Sequence, residues 1–355
     1  MAFKIELIGL DKDELQKALT DIGEKPFRAK QLWQWLYYFG ATDFDMMTNL
    51  SKVLRQKLKD NFTITRPKIV TEQLSSDKTR KWLLEFADGE RVEMVYIPEV
   101  DRGAVCISTQ VGCAMGCKFC HTGSQKLTRN LTAAEIVSQF MVARDTYGEW
   151  PSPTQETRYL SNIVVMGMGE PLHNKDNVIK ALNILTDGDG IAISRRRVTL
   201  STSGIAPQIV DTLQATGVRL AISLHAPNDA LRSSIMPINK RYPLDEVLKA
   251  CQNYQAGDGS RYVTFEYLLL DEVNDSADCA HQLVNLMKKY GIRASFNLIP
   301  FNPWPGCGFK PSPNHKVRAF AKILNDAGFA APIRVARGQD ILAACGQLKS
   351  KKQSS

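Results

Sequence analysis

From about residue 105 onward the chain alternates short apolar runs with longer amphipathic stretches. The runs at 105–108, 163–166, 198–202, 220–223, 264–269 and 296–299 have the length and β-branched content of buried strands. Between them, 135–147, 177–185, 206–215, 244–254 and 277–290 place apolar residues three and four apart, the helical spacing. Thr132 with Glu135 makes a capping-box start for the first of these helices. Six βα repeats predict a parallel sheet with helices outside it. Six are too few to close the usual eight-stranded barrel, so the expected class is α/β, a partial (βα)6 TIM-like barrel with a side entrance.

Residues 1–90 follow a different rhythm. Asp11 with Glu14 caps a helix whose stripe is Leu15, Leu19 and Ile22, and Gly23 suits its end. Ala29, Leu32, Trp33 and Leu36 mark a second helix after Pro26, and a third is expected over 51–58. Residues 82–86 and 91–96 then read as a strand pair across Asp88-Gly89. The expected division is a small, mainly helical N-terminal domain with a strand extension at 1–90, the barrel at 91–345, and a flexible Lys/Ser-rich tail at 346–355.

Charge changes this picture more than composition does. A net charge of +8 and a pI near 9.0 favour a polyanionic partner. In the first module Arg28, Lys30, Lys52, Arg55, Lys57 and Lys59 interleave with Trp33, Trp35, Tyr37 and Tyr38. That mixture suits RNA, although such rings also suit a small helical core. No apolar run approaches the ~18 residues of a membrane span. The start has acidic residues and Gly9 where a signal peptide would be apolar, so a cytoplasmic location with reduced thiols is expected.

The chemistry is concentrated in Cys113-Ala-Met-Gly-Cys117-Lys-Phe-Cys120, directly after the first barrel strand. A [4Fe–4S] cube normally takes four cysteines. Three leave one iron open to a small chelating molecule, which in this spacing points to S-adenosylmethionine and its reductive cleavage to a carbon radical. Zinc needs four ligands, and only the adjacent His121 could complete the set locally. A disulfide framework does not suit a long chain without a secretory signal.

The remaining polar residues gather at the carboxyl ends of the strands, where parallel sheets bind ligands. Strand two ends in Gly167-Met-Gly169-Glu170, strand three in Ser201-Thr202-Ser203 and strand four in Ser223-Leu224-His225, and Asn302 follows strand six. The glycines would let backbone approach the cofactor, Glu170 would accept from its amino group, and Ser201, Ser223 and Asn302 would hold its carboxylate and ribose. His225 fits that role and a strand-end cap equally well. Cys106 lies in strand one and Cys345 near the chain end, before Gly346. A Cys345 thiolate could attack the cofactor's methyl group, with Cys106 as resolving thiol. Cys251, Cys279 and Cys307 read as small buried hydrophobes.

Taken with Gly167-Met-Gly-Glu-Pro-Leu172, Ser223-Leu-His-Ala-Pro227, Met236-Pro-Ile-Asn239, Asn297-Leu-Ile-Pro-Phe-Asn-Pro303 and Ala343-Ala-Cys-Gly-Gln-Leu348, the cysteine motif resembles the RlmN/Cfr family of radical S-adenosylmethionine RNA methyltransferases. The match runs over nearly the whole chain and is nearer the C2 branch. The resemblance implies a radical SAM barrel that methylates C2 of adenine in 23S rRNA and in tRNA beside the anticodon. It implies a cluster on Cys113, Cys117 and Cys120, and cofactor contacts from Gly169, Glu170, Ser201, Ser223, Leu224, His225 and Asn302. Two S-adenosylmethionine molecules are implied per turnover, one methylating Cys345 and one cleaved to the radical. Cys106 would then release the protein–RNA adduct through a disulfide with Cys345. Glu93, in Arg91-Val-Glu93-Met, matches the family's proton acceptor, though a strand carboxylate also suits a solvated face. A flavodoxin as electron donor and a monomeric state complete the expectation. Gln125-Lys126-Leu127 departs from the common Gln-Gly-aromatic pattern. The other readings are C8 methylation by the same cysteine chemistry, a radical enzyme acting on a peptide or metabolite, and a metal-stabilised RNA-binding protein.

Overall fold

The computed structural model describes residues 4–100, 102–152, 159–258 and 261–350. Residues 351–355 of the expected tail and 1–3 of the first module lie outside them. One nine-stranded sheet runs through the molecule with its strands in chain order. They are β1 (Lys68–Leu74), β2 (Arg80–Glu85), β3 (Arg91–Pro98), β4 (Gly103–Cys106), β5 (Leu160–Val165), β6 (Val198–Thr202), β7 (Arg219–Ser223), β8 (Val263–Leu269) and β9 (Ala294–Pro300). The pairs from β4 to β9 are all parallel, and those from β1 to β4 antiparallel.

The six parallel strands are the expected βα repeats, and their burial explains their apolar runs. Both faces are covered, so Val105, Ile163, Leu200, Ile222, Phe265 and Phe296 reach no solvent. Helices α1 (Lys12–Asp21), α2 (Arg28–Trp33) and α3 (Lys52–Asn61) precede the sheet. The barrel helices are α4 (Ala133–Tyr147), α5 (Lys175–Thr186), α6 (Ala206–Thr216), α7 (Asp229–Ile235), α8 (Leu244–Ala256), α9 (Ala277–Tyr290) and α10 (Asn314–Asp326). Both expected capping boxes form, at Asp11/Glu14 and at Thr132/Glu135. Among the described residues, no helix is long and apolar enough to cross a membrane.

The sheet does not stop at residue 90. Leu83 pairs with Glu93, and Val95 with Cys106, so the boundary expected there falls inside a hairpin continuous with the barrel. The helical module packs beside it through ion pairs of Lys12 with Asp187 and Asp189, at 2.9 and 2.8 Å, and of Arg66 with Asp145 at 2.7 Å. Trp33 and Tyr37 are core residues of that module, while Trp35 and Tyr38 are half-buried. Arg55, Lys57 and Lys59 pair with Asp45 or Glu24, which removes half of the six expected cations from the free basic surface.

The expected flexible tail is packed through residue 350. After α10 the chain adds to the free edge of β9, with Phe296 and Leu298 donating to the Ala330 and Pro332 carbonyls. It then crosses to the opposite end of the sheet, where Asp340 accepts from Ser75 at 2.6 Å and Gly338 donates to Asp77 at 3.0 Å. Beyond Cys345, Gly346 accepts from the His121 amide at 2.7 Å, Leu348 from Thr122 at 2.7 Å, and Lys349 donates to Glu93 at 2.8 Å. These bonds, made by partners distant in sequence, order a segment whose composition alone suggests disorder. The strap from 335 to 350 thereby spans the open side of the partial barrel.

Candidate active site

The cysteine loop leaves β4 through Gly112, whose φ of +77° and approach to the Lys126 carbonyl exclude a side chain. It is pinned from outside, with Lys118 donating to the Ile235 carbonyl at 3.0 Å and the Trp304 indole to the Phe119 carbonyl at 2.9 Å. Cys113, Cys117 and Cys120 line one cavity of about 210 Å3. Burial pushes the Cys113 thiol up to about 12, Cys117 well above its ordinary value, and Cys120 upward as well. Charge on Cys120 reinforces the shift at the other two, so the trio ionises together only when a cationic group compensates it. Among the described residues no three His, Cys, Asp or Glu converge on a single metal ion.

Cys106, Gly169, Glu170, Ser201, Ser223, His225 and Cys345 line the same cavity. Glu170 is buried, and its carboxylate accepts from Leu172 N at 3.0 Å, Thr202 Oγ1 at 2.7 Å and Ser203 N at 2.7 Å. It therefore ties the end of β5 to that of β6. Gly169, at φ +102°, has no room for a Cβ because Gln110 would lie 2.6 Å away, and Gly167 is equally close to Ser108. The expected reason for these glycines was approach to a ligand; the approach they permit is to the entry of the cysteine loop. His225 Nδ1 accepts from Leu268 N at 3.0 Å, and burial together with the Arg232 charge holds its pKa down to about 3. It is a neutral strand-end cap that also faces the cavity.

Three expected residues are not on the cavity wall. Leu224 is fully buried, with its amide on the Glu266 carbonyl at 3.1 Å. Asn302 is buried and accepts from Gln339 of the strap at 2.9 Å. Glu93 pairs with Lys81 at 2.9 Å and takes the Lys349 amide. Burial raises the Glu93 pKa, and the Lys81 charge opposes that rise.

Cys106 is buried at the end of β4 and Cys345 enters from the exposed strap. Burial pushes the Cys106 thiol up to about 12, and a charge on Cys345 adds to that, placing the two sulfurs in one electrostatic field. The Arg334 charge lowers both. Cys251 and Cys279 are core residues, as expected. Cys307 is half-buried against the cysteine loop, 4.0 Å from the Lys118 carbonyl.

Sequence reasoning missed Glu266, Arg334 and Arg232. Glu266 had a signal: it is a lone carboxylate inside an apolar strand, and here it is buried on the cavity wall, accepting from Asn297 at 2.8 Å. Arg334 and Arg232 had none, since neither stands in a recognisable motif. A second hollow, lined by Glu6, Arg66, Glu85 and Glu135 among others, holds none of the expected site residues.

Comparison with known proteins bears on the same residues. Positions 5–64 match the ribosomal RNA large subunit methyltransferase N-terminal domain, and 107–283 the radical SAM superfamily. The chain is 58% identical to the dual-specificity RNA methyltransferase RlmN of Rhodospirillum rubrum, covering 98% of this chain and 80% of that one. Identity to the Gluconobacter oxydans protein of the same name is 57%, over 98% and 86% of the two chains. The fold is similar to the crystal structure of a radical SAM methyltransferase from Sphaerobacter thermophilus, with TM-score 0.90, 43% identity, and 97% and 99% of the chains covered.

Proposed function

Because the chain belongs to the RlmN family of dual-specificity RNA methyltransferases, built on the radical SAM fold, we propose that it methylates C2 of adenine in 23S rRNA and in tRNA. One observation carries the reading: Cys106 and Cys345, far apart in sequence, line the cavity that Cys113, Cys117 and Cys120 also line. A C2-methylating enzyme of this kind needs both sulfurs beside the cluster, whereas a radical enzyme acting on a peptide or metabolite has no use for the second pair.

Cys113, Cys117 and Cys120 would hold a [4Fe–4S] cluster and leave its fourth iron to S-adenosylmethionine. The donor set fits, since three half-buried cysteines of one loop face a common cavity and thiolates are the ligands such a cluster takes. When bound, cluster and cofactor supply reductive cleavage of a sulfonium, with a flavodoxin-type protein as one-electron donor. Gly169, Glu170, Ser201, Ser223 and His225 would frame the cofactor from the strand ends, with Leu224 and Asn302 behind them. The Cys345 thiolate takes a methyl group as the sulfonium C–S bond breaks, leaving S-adenosylhomocysteine. A second cofactor molecule serves the activation of that methyl group. Glu93 receives the proton lost from adenine C2. The Cys106 thiolate would finally attack the Cys345 sulfur, forming a disulfide as the bond from that sulfur to the transferred carbon breaks. The freed carbon takes a proton to become the methyl group, the surplus electron returns to the one-electron donor, and an external thiol reduces the disulfide before the next turnover. The protein would work as a cytoplasmic monomer.

Intact mass of the purified protein and mass spectrometry of adenosine from complemented cells test this. The native protein gains one CH2 that Cys345→Ala lacks, and 2-methyladenosine returns with the native gene but not with Cys345→Ala or Cys106→Ala. Appearance of 8-methyladenosine, or methylation that survives Cys345→Ala, overturns the assignment.

A further inference from the structure

Arg232, on α7, is entirely buried. Its Nε donates to the Leu224 carbonyl at 3.0 Å and its Nη1 to Asn239 Oδ1 at 2.8 Å. Its Nη2 donates to the Ser203 and Ser223 carbonyls at 2.7 and 3.0 Å. All four acceptors are neutral, and among the described residues no carboxylate comes within ion-pair distance. Asp229, on the same helix, is occupied by Leu244 N and Asn239 Nδ2, both at 2.9 Å. A guanidinium remains protonated in proteins, and an interior cation without a counter-charge is strongly unfavourable. The helix that carries Arg232 borders the proposed cluster loop: Lys118 N donates to the Ile235 carbonyl at 3.0 Å, and Ser203, whose carbonyl Arg232 holds, reaches Met115 Sδ through its hydroxyl at 3.2 Å.

We propose that Arg232 is the built-in counter-charge of the cluster loop: its buried guanidinium favours the extra negative charge of the reduced cluster and so sets the reduction potential. This rests on the reading that Cys113, Cys117 and Cys120 hold the cluster. One electron from an external one-electron donor adds one negative charge behind Cys117. A fixed cation in a low-dielectric interior stabilises that state more than the oxidised one. The hydrogen bonds to Ser203, Ser223 and Leu224 are the means by which the cation is held, because they anchor it to the ends of β6 and β7. Arg232 is a positioning residue, acting through the cluster rather than on substrate.

The test is an anaerobic dithionite titration of the reconstituted holoenzyme, followed by visible absorbance and by the EPR signal of the reduced cluster. Iron and sulfide analysis of the native protein comes first, and a native protein that binds no cluster overturns the cluster reading itself. With the cluster present, Arg232→Met is expected to shift the midpoint downward by at least tenfold in the reduced-to-oxidised ratio, 59 mV for a one-electron couple. Arg232→Lys, which keeps the charge and loses most of the hydrogen bonds, should stay within tenfold of native. Should Arg232→Met fail to load iron, Arg232→Lys decides alone: a native-like midpoint supports the proposal and a tenfold displacement overturns it. An unchanged midpoint in a loaded Arg232→Met protein also overturns it, leaving Arg232 a structural clamp.

Discussion

Glu93 has two employments in this molecule. It would receive a proton, and its carboxylate also anchors the strap through the Lys349 amide while pairing with buried Lys81. Glu93→Gln keeps an acceptor but leaves the Lys81 ammonium unpaired in the interior, a change on the order of 3 kcal/mol. Hydrogen exchange of the amides at 346–350 should therefore accelerate at least tenfold in that variant, and unchanged protection would mean that its other contacts, among them those with His121, Thr122 and Pro303, suffice to hold the strap. His225 gives a pH dependence of definite sign. Its folded pKa is held near 3 against 6.5 when free, so only the unfolded chain takes the proton between those values. Stability is full above pH 6.5 and is lost as pH falls toward 3, by up to ~4 kcal/mol for this group. Urea midpoints of the metal-free protein from pH 7 to 4 should fall, and His225→Gln should flatten that dependence.

At the scale of elements, Gly169 shows how the cavity wall is built. A methyl group there would meet Gln110 and force a left-handed residue, so Gly169→Ala should cost about 1–3 kcal/mol, read as a lower urea midpoint. Thr132→Ala, which removes one half of the α4 capping box, should cost about 1 kcal/mol by the same measurement. The parallel strands were legible because burial on both faces leaves each a short run dominated by apolar and β-branched residues. β1 was not, because it is an edge strand with almost every residue exposed and so has no alternation to read. α10 carries Val317, Phe320, Ala321 and Leu324 at helical spacing, a sixth amphipathic stretch that the five read between the strands leave unassigned. The cysteines and strand-end residues were legible as motifs. Glu170 and Asn302 stood out as chain positions, but their partners across the fold, Thr202 and Gln339, are set by tertiary contacts that no local pattern encodes.

For the whole molecule, the net charge of +8 acts through cations not already committed to acids. Lys30 and Lys52 on the first module are exposed and outside the ion pairs that tie up Lys57 and Lys59. Reversing either to glutamate should weaken binding of a tRNA anticodon stem-loop and lower its log–log salt slope by about one. Lys57→Glu, opposed to Glu24, should do so far less. Equal effects from all three would place the RNA elsewhere on the surface. The strap carries the larger consequence. The polypeptide that bears the Cys345 sulfur is also the polypeptide that shuts the gap between β9 and the first hairpin, so carrier and door are a single object. On the proposed function, a nucleobase and this segment would compete for one doorway, and each visit by RNA would begin with the enzyme displacing part of itself.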